Sequence, residues 1–259
     1  MRVNYVLTLA SALLVTLSAS SYAADPHWTY DEQTTWGALE SNDITLLPPA
    51  LYPYSLCGIG QKQSPIALSA PTAKNLLNAL KPSYSPMPLS VSNNGHTIKV
   101  NAPTDANPNA LHIGKESYPL LQFHFHAPSE HTLNGKSFPL EMHLVHATAS
   151  GKIAVLGVFF RQGPANAEFQ KILDNAPLSS SLTNTSNDSL DPNYLLPRNK
   201  QFINYAGSLT TPPCTEGVEW YVLRYPITVS AAQIAQFSAL YADNNRQPQP
   251  LFGRAPASM

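Results

Sequence analysis

The chain has 259 residues, a formal net charge of −1 and only 12% charged residues. It contains no basic cluster, which argues against a nucleic acid or an anionic membrane surface as its partner. Its 24 prolines are scattered along the chain, a distribution typical of an irregular, loop-rich surface without a flexible linker.

The N-terminal residues have the pattern of an export signal. Arg2 supplies a positive charge, and residues 6–17 form an apolar run too short to span a bilayer as a mature anchor. Ser21-Tyr22-Ala23 then matches the small-x-small cleavage pattern. We predict a signal peptide over residues 1–23 and a single domain over residues 24–259, with an uncleaved anchor as the alternative. The mature protein is then expected to be periplasmic or secreted, without a membrane anchor.

Cys57 and Cys214 are the two cysteines of the chain. In an exported protein the simplest interpretation is one disulfide between them, and two buried free thiols are the alternative. In the chain-entropy model, closing so long a loop stabilises a fold by up to about 5 kcal/mol.

Strand-like segments dominate the next part of the chain, because alternating, β-branched and aromatic residues recur in short runs. The predicted strands cover residues 89–91, 97–100, 120–126, 141–147, 153–161 and 219–229. Asn94-Gly95 predicts a hairpin turn between the first two strands. Residues 133–136 predict a second turn, which would make the two histidine-containing strands antiparallel neighbours.

Helix signals are few. Residues 167–176 carry apolar side chains at helical spacing, and residues 230–233 form a capping box that opens a second helix. Both helices are expected to be packing elements. The polar stretch 180–193 is predicted to be a surface loop, and its Asn184-Thr-Ser and Asn187-Asp-Ser motifs are glycosylation acceptors only in a eukaryotic source.

Histidines occupy alternate positions in two of the predicted strands. His124 and His126 point to one face, because side chains in a strand repeat every two residues, and His143 has the same alternation in the second strand. Three neutral histidines with an open fourth position make a catalytic zinc site. Gln122 and Glu141 each lie two residues before a candidate ligand, on its face, where they could hold the far ring nitrogen.

The histidine pattern alone leaves other functions open. A histidine in an apolar strand is more often a core or surface residue than a ligand, and His-x-His also occurs in metallo-hydrolases and cupins. Metallo-hydrolases typically continue with Asp-His, which this chain lacks. His131 and His146 are expected to be buried structural residues, whereas His27 and His112 are expected at the surface or in loops.

Six motifs occur in the order found in α-class carbonic anhydrases: Gln63-Ser-Pro-Ile66, Asn93-Asn-Gly-His96, His124-Phe-His126, Ser129-Glu-His-Thr132, Glu141-Met-His-Leu-Val-His146 and Gly207-Ser-Leu-Thr-Thr-Pro-Pro-Cys214. The resemblance runs from about His27 to Arg254. The paired cysteines and the short connection from His126 to Glu130 resemble the bacterial, periplasmic branch of that family. The resemblance implies a mainly β single domain, with a large, mostly antiparallel, twisted central sheet and short helices around it.

The resemblance also implies a chemistry, the reversible hydration of carbon dioxide to bicarbonate and a proton by attack of zinc-bound hydroxide. The implied zinc ligands are His124, His126 and His143. Thr210 would accept the hydroxide proton in a hydrogen bond, and Glu130 would accept the hydroxyl proton of Thr210 in turn.

The remaining implied roles concern the substrate and the proton. Thr211 would contact bicarbonate, and His96 would carry protons out of the cleft, since an imidazole titrates near neutral pH. An apolar wall would hold carbon dioxide, formed by Val145, Val155, Leu209 and Trp220.

Two other functional classes stay open at this stage. One is a catalytically silent carbonic-anhydrase-like binding or adhesion protein, a kind that usually lacks one or more zinc histidines. The other is a general zinc hydrolase, for which the chain carries no separate substrate signature. The expected partners are carbon dioxide and bicarbonate alone, and the oligomeric state is open between monomer and dimer.

Overall fold

The computed structural model describes residues 25–43, 45–69, 80–104 and 107–258. The predicted signal peptide, residues 1–23, lies outside these ranges. The strands within them are β1 (Ala67–Leu68), β2 (Leu80–Ser83), β3 (Met87–Asn93), β4 (Ile98–Asn101), β5 (Ala110–Ile113), β6 (Glu116–His126), β7 (Thr132–Leu133), β8 (Leu140–Ala147), β9 (Ile153–Gln162), β10 (Leu182–Leu190), β11 (Phe202–Ser208), β12 (Glu216–Val229) and β13 (Ala257–Ser258).

Helices are short and few in the described part of the chain. The α-helices are α1 (Leu56–Ile59), α2 (Ala167–Asp174) and α3 (Ala231–Leu240), and the 3-10 helices are Tyr30–Glu32, Trp36–Ala38 and Pro192–Leu195. Both predicted helices are confirmed. The capping box of α3 is present, with the side chain of Ser230 accepting from Gln233 N and the side chain of Gln233 accepting from Ser230 N. None of the described helices is long and apolar enough to cross a membrane.

One large sheet of 11 strands dominates the fold. Its strands follow the order β10-β3-β4-β6-β8-β9-β12-β11-β13, and β2 and β5 join through the N-terminal half of β6. All pairings in this sheet are antiparallel except that of β9 with β12, and β1 and β7 form a separate parallel pair. The predicted class, mainly β with a large and mostly antiparallel central sheet, is confirmed.

The two histidine strands are antiparallel neighbours, as predicted. Strands β6 and β8 pair with His124 directly opposite His143. The predicted turn after His131 is present, since Asn134 and Gly135 both have positive φ and Leu133 bridges Lys136. The pairing register therefore carries histidines from both strands to the same point on the sheet.

The main hydrophobic core lies on the opposite face of these strands. Phe123 and Phe125 alternate with the histidines and are fully buried there. Phe169 of α2 and Phe237 of α3 pack against Phe125, with ring centroids 5.1 and 5.9 Å away. Truncating one such ring to alanine would cost about 3–5 kcal/mol of stability. The core thus holds the histidine strands rigidly from behind.

The prediction of a surface loop over residues 180–193 is wrong. Most of this stretch is β10, an edge strand that pairs antiparallel with β3 and has a register shift between Ser186 and Ser189. Nearly all of its side chains are exposed, and Leu190 is its one buried residue. Hydrogen bonds from the main chain of β3 hold an edge strand without apolar alternation, so hydrophobic periodicity does not detect it.

The predicted disulfide between Cys57 and Cys214 is confirmed, with a Cα–Cα distance of 5.1 Å. It belongs to a small buried cluster that also contains Trp36 and Tyr54. The bond ties α1 to the segment between β11 and β12. That segment carries Thr210 and Thr211, so the disulfide braces one side of the candidate site.

Candidate active site

Three histidine side chains converge where β6 and β8 pair. One ring nitrogen from each of His124, His126 and His143 lies within 4.8 Å of the other two. His126 and His143 are buried, and His124 is half-buried. The alternation of β6 supplies two of these rings, and the register of β8 supplies the third.

Each of these rings donates a hydrogen bond from one nitrogen to an oxygen acceptor. His124 Nδ1 donates to Gln122 Oε1 at 2.9 Å, and His143 Nε2 donates to Glu141 Oε1 at 2.9 Å. A donor nitrogen carries the proton, so the other nitrogen of a neutral ring keeps its lone pair. The free nitrogens are therefore Nε2 of His124 and Nδ1 of His143.

His126 has the same arrangement with a partner that is distant in sequence. Its Nδ1 donates to the main-chain oxygen of Asn244 at 2.7 Å. Its Nε2 is buried and has no hydrogen-bond partner. A buried polar atom without a partner costs free energy, so an orphaned lone pair at this point indicates a site built to hold a ligand.

The donor set suits zinc. Burial lowers the pKa of His124 and of His126, and the neighbouring histidines lower both further, although Glu130 partly opposes the shift at His126. His124 and His126 are therefore neutral at pH 7, which is the form that binds a metal. Three imidazole nitrogens with one open position match the ligand set of a catalytic zinc ion.

Glu141 is held by more than one histidine. Its Oε1 accepts from His143 Nε2 and from His131 Nδ1, the latter at 2.7 Å, and its Oε2 accepts from His131 N at 2.8 Å. Burial raises the pKa of the Glu141 carboxyl, but its contacts with His131 and His143 outweigh this effect and hold the pKa well below its usual range. A fully buried, ionised carboxylate thus orients His143.

Glu130 is fully buried beside the histidines. Its Oε1 accepts from Arg246 N at 2.8 Å, and its Oε2 lies 3.8 Å from His143 Nδ1 without a hydrogen-bond partner. The hydrogen bond from Thr210 that the resemblance implies is therefore not formed in this structure. Glu130 nevertheless keeps one free acceptor oxygen at the site.

A cavity of about 200 Å³ opens over the histidines. Its lining residues are Gln122, His124, His143, Val145, Val155, Leu209, Thr210, Thr211 and Trp220. All six residues expected to contact the substrate thus line one cavity. The indole of Trp220 packs edge-on to His143 with ring centroids 4.7 Å apart, and its Nε1 donates to Ser208 O at 2.9 Å.

His96 lies outside that cavity lining. Its ring stacks flat on Trp28 with centroids 3.7 Å apart. The two residues line a surface depression of about 570 Å³ together with His27 and Pro213. Burial lowers the pKa of His96, and the charge of His27 lowers it further.

Sequence reasoning missed two residues of the site, Asn244 and Arg246. Besides accepting from His126, Asn244 donates from Nδ2 to His96 O and Phe125 O, both at 3.0 Å. Arg246 donates from its main-chain N to Glu130 Oε1 at 2.8 Å. Both contacts join residues more than a hundred positions apart, so no local spacing could have indicated them.

Comparison with known proteins agrees with this geometry. The family model of eukaryotic-type carbonic anhydrases matches residues 50–255. A carbonic anhydrase of Klebsiella pneumoniae is 41% identical over 252 residues, which cover 95% of this chain and 97% of that protein.

Solved structures are similar over most of their length. The α-carbonic anhydrase of Thermovibrio ammonificans, solved with the inhibitor sulfanilamide, has a TM-score of 0.79 and 38% identity, covering 91% of this chain and 99% of that one. The Photobacterium profundum α-carbonic anhydrase has a TM-score of 0.74 and 40% identity, covering 79% and 92%. The chain therefore belongs to the eukaryotic-type, or α-class, carbonic anhydrase family.

Proposed function

We propose that the protein is a zinc-dependent carbonic anhydrase that reversibly hydrates carbon dioxide to bicarbonate and a proton. One observation carries this proposal: three imidazole rings, each with one nitrogen engaged by an oxygen acceptor and the other left free, converge beside a small, largely apolar cavity. Zinc would be held by His124 Nε2, His126 Nε2 and His143 Nδ1. Bound zinc would lower the pKa of a water ligand, an effect for which carbonic anhydrases are themselves the standard example.

Thr210 and Glu130 orient the nucleophile in this proposal. An ionised carboxylate can only accept hydrogen bonds, so a hydroxyl that donates to Glu130 Oε2 must turn its own lone pair toward the cavity. Thr210 lines the cavity, and Glu130 Oε2 is the free acceptor at the site. A hydrogen bond from the Thr210 hydroxyl to Glu130 Oε2 would complete the pair.

The cavity wall suits carbon dioxide. This substrate is small and has no hydrogen-bond donor. Apolar side chains can therefore hold it without leaving a donor of the substrate unpaired. The side chains in this role are Val145, Val155, Leu209 and Trp220, all of which line the cavity. Thr211 lies on the same lining and would offer its hydroxyl to bicarbonate.

His96 receives the proton that each turnover releases. A base that titrates near neutral pH both accepts this proton and returns it to the solvent. The face of His96 stacks on Trp28, which leaves its ring edge for hydrogen bonding to water. Proton transfer to His96 would pass through water in the cleft, because the ring does not line the metal cavity.

The proposed location is the periplasm or the extracellular medium. The disulfide between Cys57 and Cys214 supports it, since disulfides persist in oxidising compartments. The signal peptide over residues 1–23 would direct the export.

The decisive experiment measures zinc content and carbon dioxide hydration on the purified mature protein. We expect one zinc per chain and hydration that a zinc chelator abolishes and added zinc restores. Full zinc occupancy without hydration would instead identify a catalytically silent binding protein. Activity that persists after complete removal of zinc would overturn the proposal.

A further inference from the structure

Arg246 is a fully buried arginine with an unusual set of partners. Its Nη1 donates to Gln63 Oε1 and to Ser64 O, each at 2.8 Å, and its Nη2 donates to Cys57 O at 3.0 Å. Its guanidinium also lies 5.6 Å from the ring centroid of Trp36. None of these acceptors is a carboxylate. Burying a charge is costly, so its retention without a direct ion pair indicates a specific positional role.

The main chain of Arg246 reaches the active site. Arg246 N donates to Glu130 Oε1, which leaves Oε2 as the free acceptor. Burial lowers the pKa of the Arg246 guanidinium to about 10, and the negative charge of Glu130 opposes this shift. The guanidinium therefore stays charged at neutral pH.

The side chain of Arg246 reaches the opposite side of the site by two routes. In the first, Gln63 accepts from the guanidinium and donates from Nε2 to Cys214 O at 3.1 Å. In the second, the guanidinium holds Cys57, which is bonded to Cys214 by the disulfide. Cys214 N in turn donates to Thr211 O at 2.9 Å. Both routes end on the segment that carries the catalytic threonine.

We propose that Arg246 is a positioning residue that sets the separation between Thr210 and Glu130. One rigid guanidinium holds the threonine segment, while the main chain of the same residue holds the carboxylate. This inference rests on the proposed function, because it assigns Arg246 to the orientation step. Lysine keeps the charge but cannot hold three acceptors in the planar geometry of a guanidinium. Arg246→Lys therefore removes the contacts to the threonine segment and keeps the positive charge.

The test is a double-mutant cycle with Arg246→Lys and Thr210→Ala. We expect Arg246→Lys alone to lower kcat/KM for hydration by about tenfold, because a misplaced catalytic group loses rate steeply. In the Thr210→Ala background, the same substitution should change kcat/KM less than about twofold. Zinc content should stay at one per chain, and Tm should fall equally in both backgrounds, since the lost packing is the same.

Arg254→Lys is the matched control. Arg254 also donates to three main-chain oxygens, those of Ala206, Pro250 and Leu251, but its contacts are at the surface. We expect wild-type kcat/KM in this variant. If Arg246→Lys does not fold, Gln63→Leu takes its place in the cycle. This substitution removes only the first route, through Gln63 to Cys214, so kcat/KM is expected to fall by about threefold.

Two outcomes would overturn the inference. In one, the Arg246 or Gln63 substitution lowers kcat/KM equally with and without Thr210, which is the behaviour of a general structural residue. In the other, the substitution leaves the rate unchanged while Thr210→Ala alone is strongly impaired. Failure of the proposed function is distinguishable, because the wild-type protein itself would then lack zinc or hydration activity.

Discussion

The two sides of the candidate site are built in different ways. The β6–β8 side presents His124 and His143 directly opposite each other, and each ring already donates to its acceptor. On the loop side, Thr210 makes no hydrogen bond to Glu130, and His96 rests on Trp28 outside the cavity lining. Strand register alone places His124 and His143 opposite each other, whereas the groups on loops depend for their positions on contacts from distant parts of the chain.

We expect the largest loss of zinc binding and hydration activity when one histidine ligand is removed from the β6–β8 side. We expect His143→Ala to bind zinc poorly and to lose hydration by at least about 1,000-fold, because two histidines leave the metal site underfilled. Metal analysis and a hydration assay check this. His146→Ala is the matched control, since His146 is equally buried in β8 but bonds Tyr84 on the core side. It should be less stable yet keep zinc, and full occupancy in His143→Ala would rule out the ligand set.

Loss of the loop-side hydroxyl should leave the metal in place. Thr210→Ala is expected to keep one zinc per chain and to lose about 100-fold in kcat, the usual scale for removing one aligned hydrogen-bonding group at a reacting centre. Thr210→Ser keeps the hydroxyl and should recover most of the rate. Equal rates for the alanine variant and the wild type would exclude the Thr210–Glu130 pair from the mechanism.

The disulfide lies on the loop side. We expect its loss to lower the stability of the protein more than its activity. Reduction, or the variant Cys57→Ser/Cys214→Ser, is expected to cost about 2–4 kcal/mol of unfolding free energy. Thermal unfolding with and without reductant measures this loss. Because the bond braces the segment after Thr211, we also expect a modest fall in kcat with zinc retained. An unchanged melting temperature would show that the bond is not a brace.

The smallest expected effect concerns His96, the most peripheral loop-side group. His96→Ala should retain zinc and slow turnover by about tenfold in dilute buffer, less than the roughly 100-fold or more typical of a directly acting acid–base group, because water and residual buffer still accept the proton. Added imidazole should restore much of the rate. His112→Ala, which removes a half-buried histidine in β5, should match the wild type. Wild-type turnover by His96→Ala at limiting buffer would mean that the proton leaves by another route.

Much of the fold followed from local patterns. Alternation in residues 120–126 and 141–147, together with the turn after His131, was sufficient to predict the antiparallel pairing that brings the histidines together. The two strands and the turn follow one another along the chain, so residues 120–147 contain all the information that this prediction needs. The same reasoning failed at residues 180–193, because β10 is held by main-chain hydrogen bonds to β3, which leave no side-chain pattern.

The sequence by itself determined the chemistry of the candidate site, because the motifs name the residue types and the strand period decides which of them share a face. Only the tertiary structure decided which nitrogen of His126 is free, since Asn244 reaches this ring from a segment more than a hundred residues away. Only it revealed Arg246, whose role depends on contacts with Gln63, Cys57 and Glu130. Such contacts are set by the packing of distant segments, and packing leaves no periodic signal in the chain.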